Sequence, residues 1–462
     1  MGEETKKTSE KTLNGFQSLL LLVFIVCAVA VCIRLKTGGP MIGLFASWII
    51  VYVFCKVLKI NYDEVVGGAY DAIRVVVPTL CLLMSIGVMI GTWLQSGTIA
   101  TIIVGGLKMI NPTWLLPLTL IFCAVLSLVT GTSYGSAGSA GVAMMAIGNA
   151  MGINPGMVAG AVICGAMFGD KLSPLSDTTN LAPAVAGAKL SDHVRAMMWT
   201  TLPTFLISLV LFTILGISQT AGGYEMGDLG TYIQALEGEF HLGAVTLLPA
   251  VVIIVLLLCK VNSIVALGLS AFVAGLVSFF CQGNTLQSII RVAYNGYTTG
   301  IEDAVLKAIL NRGGMSSMMQ YVAIISFAVG MGGMLEKLGV LGNILKVITD
   351  RIHNDGTLIT ATLLVGYVTS LISCSQPMAH VLTGRLMAPI FKERGIAPEI
   401  LSRSLEDSGT LAGPMIPWHG YCVYMAGTLG VAWSVFFPYL FLLYLTPLFS
   451  IFYGFTGISI RH

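Results

Sequence analysis

The chain has 462 residues, of which 56% are apolar and 10% are charged, and its mean hydropathy is +0.88. Soluble domains usually carry about 25% charged residues, so this composition excludes an ordinary soluble protein and predicts a membrane domain. The formal net charge is +2 without a long basic run, so no nucleic-acid partner is expected. The ten cysteines lie in or beside apolar segments without a CxxC pair, which indicates packing residues. No disulfide, zinc site or other cofactor is expected.

Apolar segments recur along the whole chain. The first, 16–34, is longer than the core of a signal peptide and is therefore interpreted as a transmembrane helix. Further candidates lie at 40–60, 75–95, 113–130, 134–150, 155–169, 196–219, 243–260, 263–282, 319–335, 357–373, 377–391, 397–412 and 432–455. Several are shorter than the about 20 helical residues that cross a bilayer core. The sequence therefore predicts an all-α polytopic protein with discontinuous helices or helical hairpins, in about 10–12 transmembrane segments.

Two amphipathic stretches separate some of these segments. They lie at 62–73 and 285–297, and we expect both to lie along the membrane interface.

The two halves of the chain repeat each other. Three blocks match at an offset of 242 or 243 residues: 89–99 with 331–341, 152–155 with 395–398, and Pro174 with Pro417. Upstream, residues 69–70 match 293–294 at an offset of 224, which indicates an insertion around 301–314 in the second half. Secondary transporters are commonly built from two repeats around a site near the middle of the membrane. A chance match between apolar segments is the alternative.

The repeat predicts the domain organisation. We expect a polar N-terminal tail at 1–15, a first repeat at 16–220, a connector at 221–240, a second repeat at 241–456 and a tail at 457–462. The two repeats are predicted to be inverted with respect to each other, as in many transporters.

A polar segment interrupts the first repeat after a long stretch without formal charges. Its oxygen ligands are Asp170, Asp177, Ser173, Thr178 and Asn180. Pro174 breaks the helix there and frees backbone carbonyl groups. Oxygen ligands suit a small hard cation, and a poorly solvated carboxylate can exchange its proton for that ion. The alternative is a polar surface loop in which Lys171 pairs with Asp170 or Asp177.

Small residues fill the segment 131–141 just upstream. Close packing of helices explains most of this run. Thr132 and Ser133 are candidate ion ligands, because their hydroxyl groups can line an ion path.

The second repeat has different polar residues at the related positions. Ser375 and Gln376 lie at a break before Pro377, and Glu406 and Asp407 are followed by no formal charge until the C-terminal tail. A carboxylate pair in that setting is a candidate proton carrier. His419 can titrate near physiological pH, although a packed, hydrogen-bonded histidine is the alternative.

Basic residues offer anchors for an organic anion. Lys171 and Arg385 could each bind a carboxylate, although Arg385 could instead extend to the membrane interface. The charged residues of the insertion, including Arg312, are interpreted as a solvated connection or an amphipathic face.

The segment Gly169–Ala182 resembles the signature of the NhaC family of bacterial Na⁺/H⁺ antiporters, together with the Gly-Thr-Ser run at 131–133. The resemblance covers roughly residues 15–455. It implies a multi-pass exchanger in the bacterial inner membrane, belonging to the ion-transporter superfamily, with inverted repeats, hairpins and elevator-like or rocking alternating access. Related members couple Na⁺ or H⁺ to malate and lactate, and others carry amino acids.

The resulting hypothesis is a sodium/proton antiporter in which Asp170 and Asp177 bind Na⁺ and H⁺ competitively near the midplane. Ser173, Thr178 and Asn180 would assist, and Glu406 and Asp407 would complete the site or carry the coupled proton. Exchange of organic acids or amino acids on the same fold is the alternative, and a homodimer is left open. The chain has no HExxH motif, so an enzyme is not expected, and the repeat disfavours a channel or scaffold.

Overall fold

The computed structural model describes residues 13–35, 39–221, 229–340, 342 and 352–460. Within these ranges the chain is helical and contains no strand. Eight helices are long and apolar enough to cross a membrane, and the number rises to 11 if each of three bent helix pairs counts as one span. The structure therefore confirms the predicted all-α polytopic class. Parts of the predicted tails and connector, 1–12, 222–228 and 461–462, lie outside the described residues, and the domain limits stay a prediction.

The first half contains helices of very different lengths. They are α1 (Gly15–Arg34), α2 (Gly39–Leu58), α3 (Tyr62–Gln95), α4 (Thr98–Met109), α5 (Pro112–Thr130), α6 (Ser133–Ser136), α7 (Val142–Ala150), α8 (Pro155–Leu172), α9 (Asp177–Ala186) and α10 (Leu190–Ala221). A π-helical turn, Ala137–Gly141, joins α6 to α7. The stretch 62–73, predicted to lie along the membrane interface, is the first part of the continuous 34-residue helix α3.

The second half also contains helices of very different lengths. Its helices are α11 (Leu229–Glu239), α12 (Leu248–Leu258), α13 (Ser263–Cys281), α14 (Leu286–Asn295), α15 (Ala304–Leu310), α16 (Met315–Lys337), α17 (Asp355–Ser373), α18 (Gln376–Glu393), α19 (Pro398–Leu405), α20 (Leu411–Met415), α21 (Gly420–Leu429), α22 (Trp433–Phe436) and α23 (Phe441–Thr456). A π-helical turn, Glu406–Thr410, joins α19 to α20. The amphipathic stretch 285–297 contains the separate helix α14, and its location along the membrane interface stays a prediction.

Helix ends recur in the two halves at a constant spacing. Asn111 and Asn354 cap α5 and α17, and both side chains accept a hydrogen bond from a backbone N–H of the first turn. The helices α9 and α21 have ten residues each, begin 243 positions apart, and both end at a left-handed glycine. The predicted duplication is therefore visible in the secondary structure, while the inverted orientation of the repeats stays a prediction.

Discontinuous helices occur where the sequence predicts them. The pair α8 and α9 bends by 49° at the break 173–176. The related break, 416–419, separates α20 from α21. Each break contains a proline, which lacks the N–H group that would continue a helix.

Glycines bring α5 and α8 close together. A Cβ atom on Gly165 would collide with the backbone oxygen of Leu120, and one on Gly169 would collide with that of Ala124. These glycines therefore allow the backbones to touch along one side of α8. The contact places the end of α8 beside the turn that joins α5 to α6.

Candidate ion-binding site

Asp170 lies at the end of α8, with 6% of its surface exposed. The Ser133 hydroxyl group donates a hydrogen bond to its Oδ2 atom over 2.5 Å. Ser133 begins α6 directly after a turn in which Gly131 has a φ of +71°, a conformation that favours glycine. The two predicted ligands Asp170 and Ser133 are thus brought together by the close packing of α5 against α8.

Hydroxyl groups of the break fold back onto Asp170. The Thr179 hydroxyl donates to the backbone oxygen of Asp170 over 2.9 Å, which satisfies a carbonyl left free by the end of the helix. Ser176 lies within hydrogen-bonding reach of the Asp170 carboxylate. Its hydroxyl group is also 3.1 Å from that of Thr178. Asp170 therefore sits in a buried cluster of oxygen atoms.

Lys171 joins the two halves of the molecule. Its Nζ atom is 2.7 Å from Asp407 Oδ1, and both side chains are fully buried. The same oxygen accepts a hydrogen bond from the Thr200 hydroxyl over 3.1 Å. The second carboxylate oxygen of Asp407 has no hydrogen-bond partner in the described structure. Lys171 therefore pairs with Asp407, and its predicted role as an anchor for an organic anion stays a prediction.

Glu406 is the third buried carboxylate. The Thr410 hydroxyl donates to its Oε2 atom over 2.6 Å and lies 2.9 Å from His380 Nε2. Because the Thr410 proton is used on Glu406, His380 Nε2 must act as the donor to Thr410. Glu406 Oε1 has no hydrogen-bond partner among the described residues. Glu406 also lies within electrostatic range of Asp170 and within reach of the Thr178 hydroxyl.

The buried charges of this cluster do not balance. Its three carboxylates are Asp170, Glu406 and Asp407, and its two cations are Lys171 and Arg403, which lies near Asp407 and is fully buried. With neutral histidines, one negative charge remains. Buried charges need a counter-charge, so one monovalent cation or one proton would balance the charge of the cluster.

Three predicted ligands hold the local turns. The Thr132 hydroxyl accepts from Gly135 N and caps α6, and the Ser173 hydroxyl accepts from Leu175 N. The Asn180 amide donates to the backbone oxygens of Pro174 and Ser176. Asp177 and Asn180 are both exposed. The structure does not bring these two residues into the buried cluster, and their predicted contact with the ion stays a prediction.

Of the predicted residues of the second half, some support local turns and others do not. The Gln376 side chain donates to the backbone oxygen of Thr410 over 2.9 Å, so it supports the Glu406 turn. Ser375 Oγ is buried without a hydrogen-bond partner in the described structure. His419 caps α21, since its Nδ1 atom accepts from Tyr421 N. Arg385 is exposed.

His380 and Thr410 were missed by the sequence analysis. Thr410 follows Glu406 by four residues on the same helix, a spacing at which helical side chains meet. His380 lies one helical turn after Gln376 in an otherwise apolar stretch. An intramembrane histidine four residues after a predicted site residue was thus the available signal.

Among the described residues, no group of three or more His, Cys, Asp or Glu side chains is placed to hold a metal ion.

Comparison with known proteins places the chain among transporters. The model of the Na⁺/H⁺ antiporter family matches residues 165–458. The Na⁺/H⁺ antiporter NhaC of Alkalihalophilus pseudofirmus is 34% identical, over 98% of this chain and 97% of that protein. The malate-2H⁺/Na⁺-lactate antiporter of Bacillus subtilis is 35% identical, over 90% and 89% of the two chains. The arginine/ornithine antiporter ArcD of Halobacterium salinarum is 33% identical, over 86% and 82%.

A solved structure of Neisseria gonorrhoeae MtrF aligns over 95% of each chain at 12% identity, and its TM-score of 0.37 is too low to support an argument about this fold. The relatives by sequence are antiporters and not enzymes. Together with the candidate spans, they identify a multi-pass protein of the cell membrane. The chain belongs to the Na⁺/H⁺ antiporter family.

Proposed function

We propose that the protein exchanges Na⁺ for H⁺ across the bacterial cytoplasmic membrane. The observation that carries this proposal is the buried cluster in which three carboxylates face two cations. One Na⁺ or one H⁺ balances the remaining charge, so each ion can replace the other. The names of two NhaC relatives, which are 34% and 33% identical to this chain, support the same cargo.

Asp170 is the proposed Na⁺ ligand. Ser133 and Thr178 would contribute hydroxyl oxygens, since a small hard cation prefers oxygen ligands. The same carboxylate takes up the proton when Na⁺ is absent. The Lys171–Asp407 pair stays closed in this mechanism and holds the two halves of the site together.

Glu406 is proposed to complete the ion site beside Asp170. Its Oε1 atom has no hydrogen-bond partner among the described residues, while Thr410 donates to Oε2 and His380 contacts Thr410. His380 acts here as a positioning residue, because it contacts Thr410 and not the carboxylate.

Alternating access is proposed to involve the two breaks, 173–176 and 416–419. Discontinuous helices present free backbone groups and helix ends to transported ions. Exchange of the site between the two sides of the membrane, by an elevator-like or rocking motion of inverted repeats, would then complete the cycle.

The test uses proteoliposomes that contain a pH-sensitive dye and an imposed proton gradient, acid inside. Na⁺, Li⁺ and K⁺ are added one at a time outside, with protein-free vesicles as the control. We expect Na⁺ or Li⁺ alone to dissipate the gradient. A gradient that no inorganic cation dissipates would contradict the proposal.

Organic-acid exchange is the second candidate function, because the malate-2H⁺/Na⁺-lactate antiporter matches this chain as closely as NhaC does. Both anchors predicted for it are poorly placed, since Lys171 is paired and Arg385 is exposed. Dissipation of the gradient only after malate or lactate is added would favour this function over inorganic exchange.

A further inference from the structure

A second polar cavity lies outside the ion cluster. It has a volume of about 330 Å³ and is formed by the insertion of the second half together with α16 and the end of α21. Its polar lining includes Asn295, Tyr297, Arg312, Gln320 and Tyr321. None of its lining residues belongs to the cluster around Asp170. Its size falls at the lower end of the range of small-molecule sites, about 300–1,000 Å³.

Arg312 dominates the charge of this cavity. No carboxylate lies within 4.0 Å of its guanidinium group, and the group makes no hydrogen bond within the described part of the chain. The Arg312 side chain is partly buried. Arg312 was expected in a solvated connection or an amphipathic face, and the structure places it in the lining of this cavity. An arginine in this setting carries five unused donors.

The backbone around Arg312 is fixed in place. Its carbonyl oxygen accepts from Tyr297 N over 3.0 Å, and Gly314 N donates to Gly87 O on α3 over 2.7 Å. Gly313 and Gly314 have φ values of +82° and +81°, which favour glycine. A side chain on Gly313 would collide with the backbone of α3. The guanidinium group is thus presented from a defined loop and is organised before any ligand binds.

A structural role for Arg312 must be weighed first. The guanidinium group packs against Gly430, the residue that ends α21. A cation at the C-terminus of a helix is favourable. The helix end carries only about half a negative charge, however, so this contact orients the guanidinium group without neutralising it. The cavity beside the group stays available to an anion.

We propose that this cavity binds a small organic anion through its carboxylate group. Arg312 would form the bidentate hydrogen bonds that suit a planar carboxylate. Amide and hydroxyl groups of Asn295, Gln320 and Tyr321 would contact the remaining polar groups of the ligand. This site does not depend on Na⁺/H⁺ exchange at Asp170. It replaces Lys171 and Arg385 as the place where an organic acid is recognised.

The test is isothermal titration calorimetry of the full-length protein in nanodiscs of zwitterionic lipid, with malate and lactate as probes. Arg312→Gln removes the charge but retains hydrogen bonding. Arg291→Gln, on the exposed surface of α14, is the matched control for loss of one positive charge. We expect saturable 1:1 binding of at least one probe to the wild type and to Arg291→Gln. Arg312→Gln should weaken that binding by at least about 10-fold.

Gln320→Leu provides a second variant, because Gln320 lines the cavity and makes no hydrogen bond to the end of α21 within the described structure. A several-fold loss of affinity is expected for it, even if Arg312→Gln proves unstable. Absence of binding by both acids, or equal binding by the wild type and Arg312→Gln, would overturn the proposal. So would binding of inorganic phosphate without binding of either acid, since the site would then recognise phosphate. Na⁺/H⁺ exchange, measured after reconstitution of the same purified proteins into proteoliposomes, separates this failure from failure of the proposed function.

Discussion

Asp170 and Asp177 show how strongly the surroundings decide the role of a residue. Both are carboxylates in one short polar segment, yet Asp170 is buried with a serine hydroxyl on its carboxylate, whereas Asp177 is exposed at the start of α9. Local sequence gives no sign of this difference, because the direction of each side chain depends on how α5 packs against α8. The sequence pointed to the segment but could not rank its two carboxylates.

The first prediction concerns Asp177. Because its carboxylate is exposed and lies at a helix N-terminus, its charge mainly favours the local helix. Asp177→Asn is therefore expected to keep the initial rate of Na⁺-driven proton movement within about 3-fold of the wild type. Dye-loaded proteoliposomes provide the measurement. A complete loss of exchange in folded, inserted protein would return Asp177 to the ion site.

Competition between Na⁺ and H⁺ at one carboxylate predicts the pH dependence. A protonated Asp170 cannot bind Na⁺, so the half-saturating Na⁺ concentration should rise as the pH falls. The rise approaches about tenfold for each pH unit below the pH at which half of the sites are protonated, and it vanishes well above that pH. Initial rates at a series of Na⁺ concentrations and pH values give the result. A half-saturating concentration that is independent of pH would exclude a shared site.

Thr410 links Glu406 to His380 and offers a third prediction. Thr410→Val removes the hydroxyl group and leaves both partners unsatisfied in a buried site. We expect a loss of at least about 10-fold in the exchange rate, with a smaller change in the half-saturating Na⁺ concentration. Thr410→Ser keeps the hydroxyl group and should restore most of the rate. Equal behaviour of the two variants would show that the hydroxyl group has no role.

At the scale of elements, the two halves are joined through the ion pair of Lys171 on α8 and Asp407 in the π-helical turn after α19. These residues are 236 positions apart in the sequence. An ion pair between residues so far apart along the chain leaves no pattern in a single sequence. The breaks themselves were predictable, because Pro174 and Pro417 stop their helices and recur at the repeat offset. The residues that pair across the two halves were not predictable from the sequence.

The ion pair predicts a particular stability pattern. Lys171→Met leaves Asp407 buried without its cation and is expected to reduce the free energy of unfolding by about 3–5 kcal/mol. The double variant Lys171→Met/Asp407→Leu removes both charges and should recover most of that loss. Unfolding in mixed micelles, followed by circular dichroism, measures both. Additive losses in the double variant would show that the pair contributes no coupling.

At the scale of the whole molecule, the described part of one chain contains both halves of the proposed site. Asp170 comes from the first half, and Glu406 and Asp407 come from the second, so no second copy is needed to complete it. The offset of 243 residues predicted the matching helix ends of α9 and α21. The insertion in the second half interrupts the repeat. The cavity around Arg312 depends on contacts with α3, α16 and α21, which no local sequence pattern predicts.

The most direct test of the central claim compares Asp170→Asn with Asp63→Asn, in which an exposed carboxylate at the start of α3 is changed. Entry of radioactive Na⁺ and exit of H⁺ are measured in the same proteoliposomes. Because Asp170 is the proposed shared ligand, we expect both fluxes to fall together by at least about 10-fold in Asp170→Asn and to stay near the wild-type level in Asp63→Asn. Coupled Na⁺ and H⁺ fluxes at the wild-type rate in folded Asp170→Asn would contradict the account.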